Sequence, residues 1–329
     1  MLRVFTGTLK DCVRGSLVSL CSRDIYPSPV RIEEGLGVEL SNYELVFKPV
    51  QGYWFTWLLV EELKRRSGCF SATLDLGLST TYVCVESGLL RINSKCFLLE
   101  ELVPGEVDRV RLVAGSEVYD VVKHTERGFY KLKAVGLNKA PTLEISGIHM
   151  HRVTGIDPWS DTLLKVKAAG ISRGHVVLDT CMGLGYTAIA SLQRGASLVY
   201  TFEIDENVVW IAERNPWSRA LESERIKRFL GDVTVLISEL PDGFFDRVIH
   251  DPPRFSRSTG DLYSLEFYRE LFRVLKPRGV LFHYTGEPRR HGSPSILKGV
   301  KRRLEEAGFR VLRFDEKALG FVAVKTSLL

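Results

Sequence analysis

The stretch that decides the fold is Val176-Val-Leu-Asp-Thr-Cys-Met-Gly-Leu-Gly-Tyr-Thr-Ala188. Its first residues form an apolar run typical of a buried strand, and the residues after the glycines favour a helix. Gly183 and Gly185 permit a sharp turn and let the backbone approach a ligand where any Cβ would collide. The stretch therefore predicts a strand, a nucleoside-binding loop and a helix in succession.

Apolar runs alternate with helical segments from about residue 157 onward. The runs lie at 176–178, 198–202, 248–249 and 280–282. Such alternation predicts a parallel sheet with helices on both faces. The tail differs, because 308–314 and 319–325 are typical of two strands joined by a tight turn. We therefore expect an α/β fold with a doubly wound Rossmann-like sheet and a terminal antiparallel hairpin.

The sequence changes character near residue 150. Before it, short β-rich stretches at 82–86, 107–113 and 118–123 lie between glycine-containing turns, as in a mostly antiparallel sheet. One helix is expected over 54–66, where apolar residues fall at helical spacing. We therefore expect a smaller, mostly β domain over 1–150, suited to substrate recognition, and the α/β domain over 151–329.

Composition places the chain among ordinary globular proteins. Of 329 residues, 45% are hydrophobic and 26% charged, which excludes disordered, fibrous and disulfide-scaffold classes. No window approaches the roughly 18 apolar residues of a membrane span, and the start lacks a secretory h-region, so we expect a cytoplasmic protein. The net charge of +5 permits a polyanionic partner without requiring one.

Cysteine and histidine spacing predicts no metal site. The six cysteines include no Cys-x-x-Cys pair, so they are expected to be reduced thiols. His149 and His151 share one face if their segment is a strand, but no third ligand lies nearby in the sequence. We expect this segment to be a linker strand.

Polar residues follow successive strands of the predicted sheet. Asp179 precedes the glycine loop, and Glu203 ends the next strand, where an acidic residue can accept ribose hydroxyl hydrogen bonds. Asp205 competes with Glu203 for that role but is better placed to cap the following helix. The glycine spacing alone also fits a dinucleotide fold. Asp179, the terminal hairpin and Asp251-Pro252-Pro253 after the fourth strand favour a different cofactor.

Together these residues resemble the class I S-adenosylmethionine-dependent methyltransferases over about 157–329. In that family the first strand ends in Asp-x-Gly-x-Gly-x-Gly, the second in an acidic ribose binder, and a Gly-Asp pair after the third reaches the adenine. Cys181 stands where the family has its first glycine, a departure shared in kind with many nucleic-acid amino methyltransferases. The resemblance implies S-adenosylmethionine as cofactor. Its cofactor-binding residues here are Asp179, Gly183, Gly185, Glu203 and Asp232.

The Asp-Pro-Pro segment resembles the acceptor motif of methyltransferases that act on exocyclic amines. There the acidic or amide side chain and the next carbonyl accept hydrogen bonds from the NH2 group, and the prolines hold the turn rigid. The family's stacking aromatic is replaced by Arg254, and Phe255 follows one residue later. We expect Asp251, Pro252 and Phe255 to be catalytic, whereas His250 should point into the core. No metal is required.

The leading expectation is a methyltransferase that acts on an amine nitrogen of an RNA base, in tRNA or rRNA. A basic run at 289–291 and 298–303 is either a phosphate-facing surface or a solvated helix face. One alternative is a polyamine-type aminopropyltransferase that uses decarboxylated S-adenosylmethionine. Others are a methyltransferase of protein or small-molecule amines, and a module that binds S-adenosylmethionine without chemistry. Segments 140–151, 179–188 and 250–256 also resemble a group of predicted archaeal methyltransferases.

Overall fold

The computed structural model describes residues 40–286 and 294–326. Strands dominate residues 40–150, with short 3-10 helices at Leu40–Tyr43 and Leu99–Leu102. The elements are β1 (Tyr53–Thr56), α1 (Trp57–Lys64), β2 (Gly68–Ala72), β3 (Thr81–Glu86), β4 (Leu89–Ile92), β5 (Lys95–Leu98), β6 (Val110–Ala114), β7 (Glu117–Asp120), β8 (Val122–Thr125), β9 (Gly128–Lys133), β10 (Thr142–Ile145) and β11 (Ile148–His149).

These strands form three small sheets, in the orders β1-β6-β7, β2-β3-β4-β5 and β11-β10-β9-β8. Every pairing within them is antiparallel, as the β-rich pattern predicts. The helix expected over 54–66 is wrong at its start, because Trp54 pairs with Leu112 in β1 and β6. The helix begins at Trp57 after Thr56, whose hydroxyl accepts from the Leu59 backbone nitrogen at 3.2 Å.

The second half alternates helices and strands, with 3-10 helices at Pro216–Glu222, Ile237–Glu239 and Arg257–Tyr263. Its elements are α2 (Pro158–Ala168), β12 (Val176–Asp179), α3 (Tyr186–Gln193), β13 (Leu198–Glu203), α4 (Glu206–Glu213), β14 (Ile226–Leu230), α5 (Val233–Leu236), β15 (Phe245–His250), α6 (Leu265–Val274), β16 (Leu275–Tyr284), α7 (Pro294–Glu306), β17 (Phe309–Asp315) and β18 (Gly320–Lys325).

The seven strands of this half form one sheet in the order β14-β13-β12-β15-β16-β18-β17. The first five are parallel, and β18 and β17 add an antiparallel hairpin at one edge. Neighbouring residues serve opposite faces: Val177 packs into a core with α2, α3 and α4, and Leu178 into a second core with α6 and α7. The expected doubly wound α/β fold with a terminal hairpin is confirmed.

The two halves of the chain share the first of these cores. The Trp54 indole donates to the Arg214 carbonyl at 2.7 Å, and the Tyr186 hydroxyl donates to the Pro141 carbonyl at 2.9 Å. The Leu45 backbone nitrogen also donates to the Arg228 carbonyl at 2.8 Å, so the chain before β1 runs along the edge strand β14. The front half is therefore joined to the sheet domain by the shared core and by these hydrogen bonds.

Two features correct the expectations for cysteine. Cys69 and Cys84 form a disulfide, so the prediction of reduced thiols is wrong for this pair. They stand directly opposite each other in the antiparallel pairing of β2 with β3, a register that sequence spacing does not reveal. Cys96 and Cys181 are free thiols, and Cys12 and Cys21 lie outside the described residues.

The described ranges hold no group of side chains with the composition of a metal site. His149 pairs with Glu144, and His151 lies 3.0 Å from the Thr142 hydroxyl. Over the same ranges, no helix has the length and apolar character needed to cross a bilayer.

Candidate active site

The glycine loop leaves β12 at the carboxyl edge of the sheet. Gly183 and Gly185 have φ of +54° and +75°, which other residues rarely adopt. A Cβ at Gly183 would meet no protein atom within 4 Å, whereas one at Gly185 would lie 2.5 Å from a Leu221 methyl carbon. Gly183 therefore keeps the face of the loop open toward a ligand, and Gly185 allows the loop to pack on Leu221.

Glu203 ends β13 and binds the loop through backbone groups. Its Oε2 accepts from the Gly183 nitrogen at 3.0 Å, and its Oε1 accepts from the Ile204 and Asp205 nitrogens, each at 3.0 Å. Burial raises the pKa of Glu203 to about 7, although these donors favour the charged form. Asp205 caps α4 by accepting from the Asn207 nitrogen, which leaves Glu203 as the acidic group at the loop.

Asp179 lies beneath the loop. It is fully buried and accepts hydrogen bonds from the hydroxyls of Thr187 at 2.9 Å and Thr201 at 2.7 Å. Burial raises its pKa to about 8, and the two hydroxyls offset part of that rise. This geometry gives Asp179 a role in holding β12, β13 and α3 together under the cofactor loop.

Asp232 follows β14 and caps α5. Its Oδ1 accepts from the Thr234 nitrogen and hydroxyl, at 2.8 and 2.7 Å. The preceding Gly231 donates to the Glu203 carbonyl at 2.7 Å, so the ends of β13 and β14 lie side by side. Tyr43 also lies here, with a ring carbon 3.1 Å from where a Gly231 Cβ would be. Motif reasoning missed Tyr43 because it precedes β1, far from the loop in sequence.

The Asp-Pro-Pro corner emerges beside the glycine loop. The Thr180 nitrogen donates to the Ile249 carbonyl at 3.1 Å, so the two segments leave neighbouring strands together. The Tyr263 hydroxyl donates to the Pro253 carbonyl at 2.7 Å and fixes the turn. Phe255 is 52% exposed, with its ring edge-on to Tyr263 at 5.4 Å. Pro252 is buried. The structure thus brings Asp251, Pro252 and Phe255 to the same sheet edge as the glycine loop.

Asp251 has a partner that sequence reasoning missed. Lys165 Nζ lies 2.7 Å from Asp251 Oδ2 and 3.3 Å from Asp161 Oδ2, and the Lys165 side chain is only 1% exposed. The ammonium also lies 4.0 Å from the Tyr284 ring centroid. Burial opposes the charge on Lys165, but the two carboxylates outweigh it and raise the pKa above its ordinary value.

The sequence around Lys165 does not distinguish a buried ion pair from an exposed one. The segment Asp157-Pro-Trp-Ser-Asp161 forms the cap and the first turn of α2. Asp157 caps this helix by accepting from the Ser160 nitrogen at 2.9 Å. Asp161 and Lys165 stand at i and i+4, a spacing that usually marks a solvated helix face. Here both are buried, because α2 packs onto the sheet next to β16.

Two histidines near the corner belong to the core. His250 is fully buried, with Nδ1 2.7 Å from the Thr180 hydroxyl and Nε2 2.9 Å from the Leu262 carbonyl. Burial lowers its pKa well below the ordinary value. His283 is also buried and lies 2.7 Å from the Tyr268 hydroxyl. The expectation that His250 points into the core is confirmed.

Only the second part of the basic run at 289–291 and 298–303 can be assessed in the structure. Residues 289–291 lie outside the described residues. On α7, Lys301 pairs with Glu305 at 3.8 Å and Arg302 with Glu306 at 3.1 Å, on exposed side chains. These pairs favour the interpretation of α7 as a solvated helix face.

The site residues fit S-adenosylmethionine. The open space at Gly183 can take a ligand against the backbone, and Glu203 can accept hydrogen bonds from ribose hydroxyls. Asp232 and Tyr43 lie beside Glu203 at the next strand end, where the adenine would be held. Asp251 follows β15, the strand that pairs with β12 on the side opposite β13.

Comparison with known proteins supports this assignment. No family model matches the chain. The uncharacterized protein MJ1233 of Methanocaldococcus jannaschii is 49% identical over 202 residues, which is 61% of this chain and 68% of that protein.

Two distant relatives are named methyltransferases. Ribosomal RNA large subunit methyltransferase I of Photobacterium profundum is 28% identical, over 34% of this chain and 30% of that protein. Putrescine N-methyltransferase 4 of Nicotiana tabacum is 24% identical, over 42% of this chain and 37% of that protein. The chain therefore spans about a third of the length of these two relatives. It belongs to the same family as MJ1233, and it is similar in sequence and in fold to the class I S-adenosylmethionine-dependent methyltransferases.

Proposed function

We propose that this methyltransferase acts on an exocyclic amine nitrogen of an RNA base, in tRNA or rRNA, at the Asp251-Pro252-Pro253 corner. The proposal rests on the hydrogen bonding of the two Asp251 carboxylate oxygens. Its Oδ2 is bound by Lys165, and no described residue donates to its Oδ1. The side chain is 16% exposed, so Oδ1 can accept a hydrogen bond from an incoming NH2 group.

The reaction needs alignment more than acid or base chemistry. S-adenosylmethionine supplies a methyl group on a positively charged sulfur. The amine nitrogen forms a bond to this carbon as the sulfur–carbon bond breaks, and the nitrogen then releases a proton to water. Asp251 Oδ1 and the Pro252 carbonyl would hold the two N–H groups, which directs the nitrogen lone pair toward the methyl carbon. The buried Pro252 and the Tyr263 bond to Pro253 keep these two acceptors fixed.

Exposed side chains around the corner suit a nucleic acid base and its phosphates. Phe255 offers a half-exposed ring on which a base can stack. Arg254 and Arg257 flank it and are exposed, so their guanidinium groups can meet phosphates or stack on a base. Exposed aromatic and basic side chains together are typical of surfaces that bind single-stranded nucleic acid.

The polyamine and small-amine alternatives are less well supported by the corner. An enzyme for cationic amines needs unpaired carboxylates that face the substrate. Here Asp251 is paired with Lys165, and Asp161 is paired with both Lys165 and Arg152. The acidic groups near the acceptor are therefore already neutralised.

Transfer of a deuterated methyl group tests the proposal. The protein is incubated with deuterated S-adenosylmethionine and RNA from cells that lack the gene, and the RNA is digested to nucleosides for mass spectrometry. We expect label on an exocyclic amine of one nucleoside, and none with Asp251→Ala. No label in RNA, together with label in parallel incubations with protein or with polyamines, would contradict the RNA assignment.

A further inference from the structure

Lys165 is the one described cation in direct contact with the side chain expected to hold the acceptor. We infer that Lys165 is a positioning and specificity-determining residue, which fixes the free oxygen of Asp251 toward the acceptor and restricts the site to uncharged amines. The inference deepens the proposed function and rests on the role of Asp251 given there.

The position of Lys165 decides which oxygen of residue 251 faces the acceptor. Its ammonium lies 2.7 Å from Oδ2 and is held in place by Asp161 at 3.3 Å and by the Tyr284 ring. Lys165 can only donate, so whatever atom faces it must accept. An aspartate satisfies this constraint, because both of its carboxylate oxygens can accept. Oδ2 accepts from Lys165, and Oδ1 remains for the amine.

The charges that face Lys165 sum to zero around the corner. Burial raises the pKa of Asp251, and the contact with Lys165 opposes that rise. With both carboxylates ionised, Asp251 and Asp161 supply two negative charges, and Lys165 and Arg152 supply two positive charges. Arg152 also donates to the Lys317 carbonyl at 2.7 Å, which anchors it to the β17–β18 turn.

Three other buried titratable groups interact with Lys165, Asp161 or Asp251, and they add no charge near neutral pH. Burial lowers the pKa of His151 to about 3 and raises that of Asp179 to about 8. Burial also raises the pKa of Tyr284. The acceptor side of the cleft therefore offers no net attraction to an ammonium group, and the positive sulfur of the cofactor adds repulsion. An exocyclic amine on an aromatic base is uncharged at neutral pH, so it needs no such attraction and is not repelled by the sulfonium.

The substitution Asp251→Asn exposes the positioning role. With Lys165 present, the amide oxygen must face the ammonium, so the amide NH2 faces the acceptor amine and two donors meet. With Lys165→Met added, the amide is free to turn its oxygen toward the acceptor. The double variant should therefore be faster than the Asp251→Asn single variant, although it carries one more change.

Single-turnover methyl transfer to RNA, at saturating S-adenosylmethionine, measures this difference. We expect Asp251→Asn to slow transfer about 100-fold, and Lys165→Met in that background to recover about tenfold, with cofactor Kd nearly constant. The matched control is Lys167→Met in the same background, since Lys167 is exposed on the same helix and should restore nothing. Thermal melting verifies that each variant is folded.

A double variant no faster than Asp251→Asn would overturn the positioning role, because a merely structural lysine would make every combination worse. The single variant Lys165→Met leaves a negative corner, and its Kd for spermidine should be about tenfold lower than that of wild type. An unchanged spermidine Kd would overturn the restriction to uncharged amines. Failure of the proposed function is seen separately, as a wild-type protein that transfers no methyl group to RNA amines.

Discussion

The backbone nitrogen of Gly183 donates a 3.0 Å hydrogen bond to Glu203 Oε2, which ties the glycine loop to the end of the neighbouring strand. The same carboxylate is the group placed to receive the ribose hydroxyls. Loop shape and cofactor affinity therefore depend on one side chain.

Replacement of Glu203 by alanine should weaken the binding of S-adenosylmethionine by about 1 to 3 kcal/mol, because charge-assisted hydrogen bonds are lost. Isothermal calorimetry measures the change. Glu206→Ala is the matched control, since Glu206 is exposed in the first turn of α4 and should leave the affinity unchanged. Equal affinity of the wild-type protein for NAD, with none for S-adenosylmethionine, would contradict the cofactor assignment.

The raised pKa of Glu203 predicts a pH dependence of cofactor binding. A carboxyl with a pKa of about 7 is mostly protonated at pH 6 and mostly ionised at pH 8. Only the ionised form accepts both ribose hydroxyls, so affinity should rise about tenfold over this range. Calorimetry at several pH values measures the rise, and Glu203→Gln should remove it. A flat wild-type profile would show that Glu203 does not titrate against the cofactor.

Asp179 predicts a pH dependence of folding stability. Its folded pKa of about 8 lies above the unfolded value, so its protonated form is favoured in the folded state. The stability it contributes is fully present below about pH 4 and is lost as pH rises through about 8. Urea unfolding across that window should show this loss in wild type but less of it in Asp179→Asn. Identical pH profiles for the two proteins would contradict a buried, protonated Asp179.

Asp179→Ala should be more damaging than Asp179→Asn. The alanine leaves the hydroxyls of Thr187 and Thr201 without their buried acceptor, at a cost of about 1 to 3 kcal/mol each. The asparagine retains one acceptor oxygen. Chemical unfolding of both variants measures the difference, and equal stabilities would show that the two hydroxyls find other partners.

RNA binding should weaken with salt through the arginines of the corner. For single strands the log–log slope is about −0.7 per phosphate contact. Removal of Arg254 and Arg257 together should flatten the slope by about one to two units and leave cofactor affinity intact. Fluorescence anisotropy with tRNA and rRNA fragments measures both slopes. Arg302→Ala is the control, because Arg302 is paired with Glu306 on α7, and an equal effect there would point to a nonspecific charge contribution.

The sequence predicts the sheet domain well because its signals are local. Buried strands such as β12 are continuous apolar runs, and the positive φ of Gly183 needs a glycine that is visible in the sequence. The Asp205 cap likewise depends only on residues two positions apart. Such features do not require knowledge of which distant segments meet.

The sequence does not predict contacts between residues that are far apart in the chain. It also does not predict the burial of side chains that are normally exposed. Cys69 and Cys84 meet through strand register, and Tyr43 reaches the β14 end because the preceding chain follows that edge. Lys165 pairs with Asp251 across 86 positions, and a lysine on an amphipathic helix is normally exposed. Trp54 fits a helical pattern, but its pairing with β6 places it in a strand.

The central claim is that Asp251 orients the acceptor amine and contributes little to cofactor binding. The most direct test combines single-turnover transfer with calorimetry on Asp251→Ala. We expect transfer to RNA to slow by about 100-fold or more, the scale of a lost positioning contact, while the S-adenosylmethionine Kd changes by less than about threefold. A variant that loses the cofactor yet keeps its transfer rate per bound S-adenosylmethionine would contradict the claim.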